Sequence, residues 1–163
     1  MYLLSIDPGT SRMGWCFWVN NLPRTFGTIN FDKNKKMDKK SYIYQEVEKL
    51  FEDKKVFAEY NKEEVGVVIE AVFSGKNMGT ALTAQTSKTI ITTVARQKGF
   101  KIIDEDIYPT QWRPYLKVDK GYEPAWVKQL YPYWFGDMDG ACAICIGEYH
   151  LRKQWDKFMR GEI

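Results

Sequence analysis

Leu4-Ser5-Ile6-Asp7-Pro8-Gly9-Thr10-Ser11-Arg12-Met13-Gly14-Trp15 decides the fold. The apolar run Leu3 to Ile6 has the length of a buried strand, and Pro8-Gly9 is strong turn punctuation, so Asp7 is expected at a strand end. Working outward, Met13 to Val19 and Arg24 to Asn30 are rich in aromatic and β-branched residues and are separated by Asn20-Asn21-Leu22-Pro23. That pattern predicts an antiparallel hairpin, and with the first strand a three-strand meander.

Beyond the meander, Lys33, Lys35, Lys36, Lys39 and Lys40 make a polar stretch read as an exposed loop, followed by a helical pattern carried by Ile43, Val47, Leu50 and Phe51. Val65 to Glu70 is a second buried strand closing on a carboxylate. Ser74-Gly75-Lys76-Asn77 then turns into a long helix, and Lys101 to Asp104 reads as the fifth strand. Between Tyr108 and Phe135 five Pro and Gly residues break the pattern, leaving a short helix over Ala125 to Leu130. From Asp137 onward a terminal helix is predicted, with an acidic first turn and Ala141, Ile144 and Cys145 facing inward.

At 163 residues, with 44% hydrophobic and 28% charged residues, the chain has the composition of one globular domain spanning 1–163. Lys and Arg number 24 against 21 Asp and Glu, so an acidic partner would have to be held by a local basic surface. Three cysteines, and a first segment without a basic region leading into a long apolar one, fit a reducing cytoplasm. No apolar run approaches the ~20 residues that a bilayer span needs.

Asp7, Glu70, and the pair Asp137 and Asp139 each bring acid to an element end in apolar surroundings. On local grounds alone, Asp7 can cap a turn and Asp137 or Asp139 a helix. If the first and fourth strands are neighbours, however, these carboxylates converge, and buried carboxylates that converge call for a cation. An all-oxygen set favours Mg²⁺, with Mn²⁺ able to substitute, over zinc. Two such ions roughly 4 Å apart suit phosphodiester hydrolysis.

The stretch Leu4 to Trp15 resembles the first motif of the RuvC family of Holliday-junction resolvases. Val68-Ile69-Glu70-Ala71-Val72-Phe73-Ser74-Gly75-Lys76-Asn77 resembles the second, and Asp137-Met138-Asp139-Gly140-Ala141-Cys142-Ala143-Ile144 the family's closing helix. The resemblance implies an α/β RNase H-like fold, a mixed five-stranded sheet of three antiparallel and then parallel strands flanked by helices. It implies metal ligation and catalysis by Asp7, Glu70 and Asp139, with two ions per site. In the family the other acidic residue stands three places before the last, where this chain has Gly136; Asp137 is one residue closer. A two-residue helical spacing turns side chains about 200° apart, so Asp137 can join Asp139 only from ahead of the first regular turn.

The resemblance further implies a homodimer with two active sites facing opposed strands of a four-way DNA junction. Phe73 matches a family position whose ring lies near the junction centre, where it would stack on an exposed base; otherwise it is a core residue. Lys76, Arg113 and Lys120 are the favoured phosphate contacts, the first because it follows the second motif, the others because their segment corresponds to the family's DNA-facing loop. Threonines at 80, 83, 86, 89 and 92 suggest either a helix-to-helix seam or ordinary packing.

Cys142 and Cys145 have no second cysteine pair to complete a zinc site, and the one histidine, His150, lacks an identifiable nucleophile partner. No phosphate-binding loop is present, so no nucleotide cofactor is expected. The sequence thus points to a metal-dependent, structure-selective endodeoxyribonuclease that resolves branched DNA, leaving 5′-phosphate and 3′-hydroxyl ends. Its rivals are an RNase H-like nuclease of broader branched-DNA or RNA-strand preference, and a non-catalytic module that recruits other proteins to branched DNA.

Overall fold

Asn20 and Asn21 both adopt positive φ, 52° and 64°, which is the backbone a tight hairpin between twisted strands requires and which Asn tolerates. In the computed structural model, which describes residues 1–33, 36–72 and 78–163, this turn joins strand β2 (Arg12–Val19) to β3 (Leu22–Asn30), and β1 (Tyr2–Pro8) pairs antiparallel with β2. Strand β4 (Val65–Glu70) adds parallel to β1, and β5 (Lys101–Ile107) adds parallel to β4. The sheet order is β3-β2-β1-β4-β5, the mixed five-stranded arrangement expected from the sequence.

Helix α1 (Lys39–Glu52) starts at Asp38, whose carboxylate accepts from the Ser41 amide, and a single turn, α2 (Lys54–Phe57), follows. Helix α3 (Met78–Gln97) links β4 to β5. Helices α4 (Pro109–Leu116), α5 (Glu123–Leu130) and α6 (Met138–Met159) complete the chain. The segment from Tyr108 to Phe135 is more regular than the sequence suggests. Pro109 opens α4, where a missing amide costs nothing, and Pro114 removes only one bond from a two-turn helix.

Alternation along the strands divides the core in two. Leu4, Ile6, Val67 and Ile69 face α1 and α3, together with Phe17, Phe51 and Phe100. Leu3, Cys16, Trp18 and Val68 face the helices of the C-terminal half, where Trp112, Val127, Ile144 and Cys145 close the layer. Helix α6 lies very close to β2 because two glycines permit it. A Cβ on Gly147 would stand 2.4 Å from the Trp18 indole nitrogen, and one on Gly14 only 1.9 Å from the Asp139 carbonyl oxygen. The second of these approaches brings the start of α6 onto the strand end that carries Asp7.

Candidate metal and nucleic-acid site

Period two fixes which strand residues can meet. Leu3, Ser5 and Asp7 share the α6 face of β1, and Val68 and Glu70 share that face of β4. The parallel register pairs Ser5 with Val68 and Ile6 with Ile69, so Asp7 and Glu70 emerge side by side where both strands end. Their carboxyl groups lie close enough for each to shift the other's titration. Burial, then the charges of Glu70 and Asp139, hold Asp7 well above the usual carboxylate range. Burial raises Glu70 as well, against a hydrogen bond that Trp112 Nε1 donates to its Oε1 at 2.8 Å.

The other two acidic residues meet a different environment. Asp137 is the N-cap of α6, ahead of its first turn, and its Oδ1 accepts from the Gly140 amide at 3.1 Å and from the Thr28 hydroxyl. Arg12 pairs through Nη2 with Asp137 Oδ2 and through Nε, at 2.9 Å, with Asp139 Oδ2. Burial pushes Asp137 upward, but the Thr28 and Gly140 hydrogen bonds and the Arg12 charge together hold it below its ordinary value. Asp139 is raised, by burial and then by Asp137, against the pull of Arg12.

Asp7 and Glu70 present hard oxygens, mutually repelling once ionised, with no ion pair of their own among the described residues. That pair fits a hydrated divalent cation such as Mg²⁺, which is commonly held by one or two carboxylates and keeps several waters. Among the described residues, no three acidic, histidine or cysteine side chains stand close enough together to enclose an ion. Arg12 bridges Asp137 and Asp139, so its guanidinium already serves as the cation of that second pair.

Arg113 directs Nε and Nη2 to the buried Glu123 Oε1, at 3.1 and 2.9 Å, and lies 4.5 Å from the Trp112 ring centroid. Its position therefore braces the indole that orients Glu70. Lys120 is exposed beside Gly121 at the turn before α5. Phe73, Lys76 and Lys35 lie outside the described residues. The hydroxyls of Thr86 and Thr89 donate to the carbonyls of Leu82 and Gln85, so this part of the threonine row is satisfied within α3. Cys142 and Cys145 are free and buried.

No family model and no curated protein matches the chain. Solved structures do. Thermus thermophilus RuvC, in complex with a Holliday junction substrate, superposes with a TM-score of 0.70 at 14% identity, over 95% of this chain and 95% of that one. The yeast mitochondrial Holliday junction resolvase Ydc2 superposes with a TM-score of 0.54, also at 14% identity, over 99% of this chain and 84% of that one. This chain has a RuvC-like fold. Within that fold, Arg12, Thr28 and Trp112 are residues that sequence reasoning did not pick out. Arg12 lies inside the first motif, but its partners are 125 and 127 positions away, and Trp112 meets Glu70 across 42. Nothing local signals such pairings. No helix among the described residues is long and apolar enough to cross a membrane.

Proposed function

We propose that this protein is a metal-dependent endodeoxyribonuclease that cuts branched DNA, four-way junctions above all, by paired phosphodiester hydrolysis. The observation that carries this reading is the side-by-side placement of Asp7 and Glu70 at the ends of adjacent parallel strands, within a RuvC-like fold. Two half-buried carboxylates side by side, each pushed upward by burial, are an unfavourable arrangement for stability alone, and such arrangements cluster at functional sites.

Asp7 and Glu70 would hold Mg²⁺, or Mn²⁺ in its place. Asp139, and Asp137 from ahead of the first turn, would join them in holding a second ion once Arg12 gives way. The bound ions supply charge neutralisation at the scissile phosphate and an activated water, giving 5′-phosphate and 3′-hydroxyl ends. Trp112 fixes the Glu70 carboxylate by donating to Oε1, and the Arg113–Glu123 pair keeps that indole in place. The Asp137 cap fixes the start of α6, and with it the direction of the Asp139 side chain. A homodimer would present two such sites to a junction, with the outward part of α3 around exposed Leu82 as one surface for the contact. Lys120 would meet the phosphate backbone, and so would Lys76.

A labelled four-way junction, compared with matched forks, flaps and linear duplex in Mg²⁺, Mn²⁺ and EDTA, tests this directly. Symmetric paired nicks confined to the junction, absent in EDTA, are expected. Equal cutting of forks and flaps would make it a general debranching nuclease. Tight binding with no metal-dependent cutting would make it a recruitment module.

A further inference from the structure

Edge strand β3 carries a second constellation that adjoins Asp137 and whose aromatic and basic residues take no part in the chemistry above. A cavity of about 630 Å³ opens beside Asp137 and is walled by Phe26 and Thr28 from β3 and by Tyr133 and Phe135 from the segment before α6. That volume lies within the ~300–1,000 Å³ common for small-molecule sites. Phe135 is 80% exposed and meets the Phe26 ring edge-on at 5.8 Å. The Tyr133 hydroxyl donates to the Pro23 carbonyl at 3.5 Å, which ties the opposite wall to the same strand. Phe26 in turn packs on buried Trp134, so one side of the ring pair is backed by protein while Phe135 faces solvent. An exposed aromatic with its partner ring fixed is a stacking platform already in place.

The charge at the mouth says what would stack there. Pro23 pairs with Trp18 and Thr25 with Phe17, which leaves Arg24 as the extra residue of a β-bulge. A bulge on an edge strand re-aims the side chain it carries. Arg24 is exposed, lines this cavity and also lines an adjoining one with Lys54, Lys55 and a single acid, Glu59. Arg24, Lys54 and Lys55 have no ion pair among the described residues. At the other end of the cavity the Thr28 hydroxyl donates to Asp137. From Arg24 to Thr28 the strand spans about 14 Å, so cationic mouth, aromatic wall and candidate catalytic carboxylate follow one another along one edge.

We propose that this groove binds one unpaired nucleobase of the DNA strand being cut, with the base stacked on Phe135 and an adjacent phosphate on Arg24. The inference rests on the nuclease reading and deepens it: the strand at the cut is held single-stranded along β3, with Lys54 and Lys55 receiving the phosphates beyond. Aromatic platforms accept any base, so the groove selects for unpaired geometry instead of sequence. Duplex could not deliver a base to it without opening.

The test uses synthetic four-way junctions, each with one abasic site at a different position around the mapped cut. Binding is read by fluorescence anisotropy in Ca²⁺ and cutting in Mg²⁺, for the wild type, Phe135→Ala, Phe135→Trp and Arg24→Gln. One abasic position is expected to weaken wild-type binding about tenfold, and Phe135→Trp equally. Phe135→Ala should bind the intact junction about tenfold less well and show no further loss at that position. Arg24→Gln should lower the salt dependence of binding by about one phosphate contact. Because Phe135 is largely exposed, its truncation leaves the core intact. If the wild type cuts the junction but the abasic profile of Phe135→Ala is the same as its own, the groove is not a base site, and the nuclease reading stands. If the wild type neither binds nor cuts any branched DNA, both readings fall.

Discussion

Two pairs of carboxylates lie at one end of the sheet, and they are held in opposite ways. Asp7 and Glu70 are set by strand register; the parallel pairing of β1 with β4 brings them side by side, the Trp112 indole donates to Glu70, and neither has an ion pair among the described residues. Asp137 and Asp139 belong to a helix start, where an N-cap, the Thr28 hydroxyl and Arg12 compensate their charge within the protein. The first pair is left in want of a cation, and the second already has one. The comparison teaches that acidic residues of one site need not be equivalent: in the proposed metal site the strand pair would recruit the ion, and the helix pair would join it only when Arg12 is displaced.

This difference predicts a graded set of losses, on a scale where each tenfold in rate is about 1.4 kcal/mol. Asp7→Asn should reduce junction cutting by roughly a thousandfold, because charge stabilisation at the phosphate is worth several kcal/mol. Junction binding by this variant, measured by anisotropy, should be unchanged or tighter. Asp139→Asn should cost roughly a hundredfold in single-turnover cutting, and Asp137→Asn less, since Asn keeps the cap and loses only charge. Equal losses at all four positions would erase the distinction between the pairs.

Smaller effects sharpen it. Trp112→Phe removes the hydrogen bond to Glu70 while keeping an aromatic ring, and roughly tenfold weaker apparent Mg²⁺ affinity is expected from disturbing a residue that orients a ligand. Asp7→Asn should also raise the metal-free thermal stability, by about 1 kcal/mol, because it relieves repulsion between half-buried neighbouring carboxylates. The matching change Asp137→Ala should do the reverse and cost about 1 kcal/mol through the lost cap. Calorimetric melts in EDTA compare the two, and opposite signs are the expected result.

Much of this was legible in the sequence where the cause is local. A short apolar run closing on Asp7-Pro8-Gly9 and a second closing on Glu70 gave the strand ends, and Asp137 before a small-residue run gave the start of α6. Helix α4 was not foreseen, since Pro114 reads as a breaker and only the two-turn length shows why it is tolerated. The one-turn α2 is too short to leave a period. In the site, the convergence of Asp7 with Glu70 followed from supposing β1 and β4 adjacent. The bridge from Arg12 to Asp137 and Asp139, and the clasp of Arg113 on Glu123 behind Trp112, depend on chain segments meeting in space, and composition or spacing carries no trace of them.

The central claim is that the neighbouring carboxylates of Asp7 and Glu70 form the catalytic centre of a DNA-junction nuclease. Its most direct test is a labelled four-way junction incubated in Mg²⁺ with the wild type or with Glu70→Gln, scored for bound and nicked DNA in the same samples. Paired nicks by the wild type, and full binding without nicks by Glu70→Gln, are predicted. Nicking by Glu70→Gln at the wild-type rate would contradict the claim.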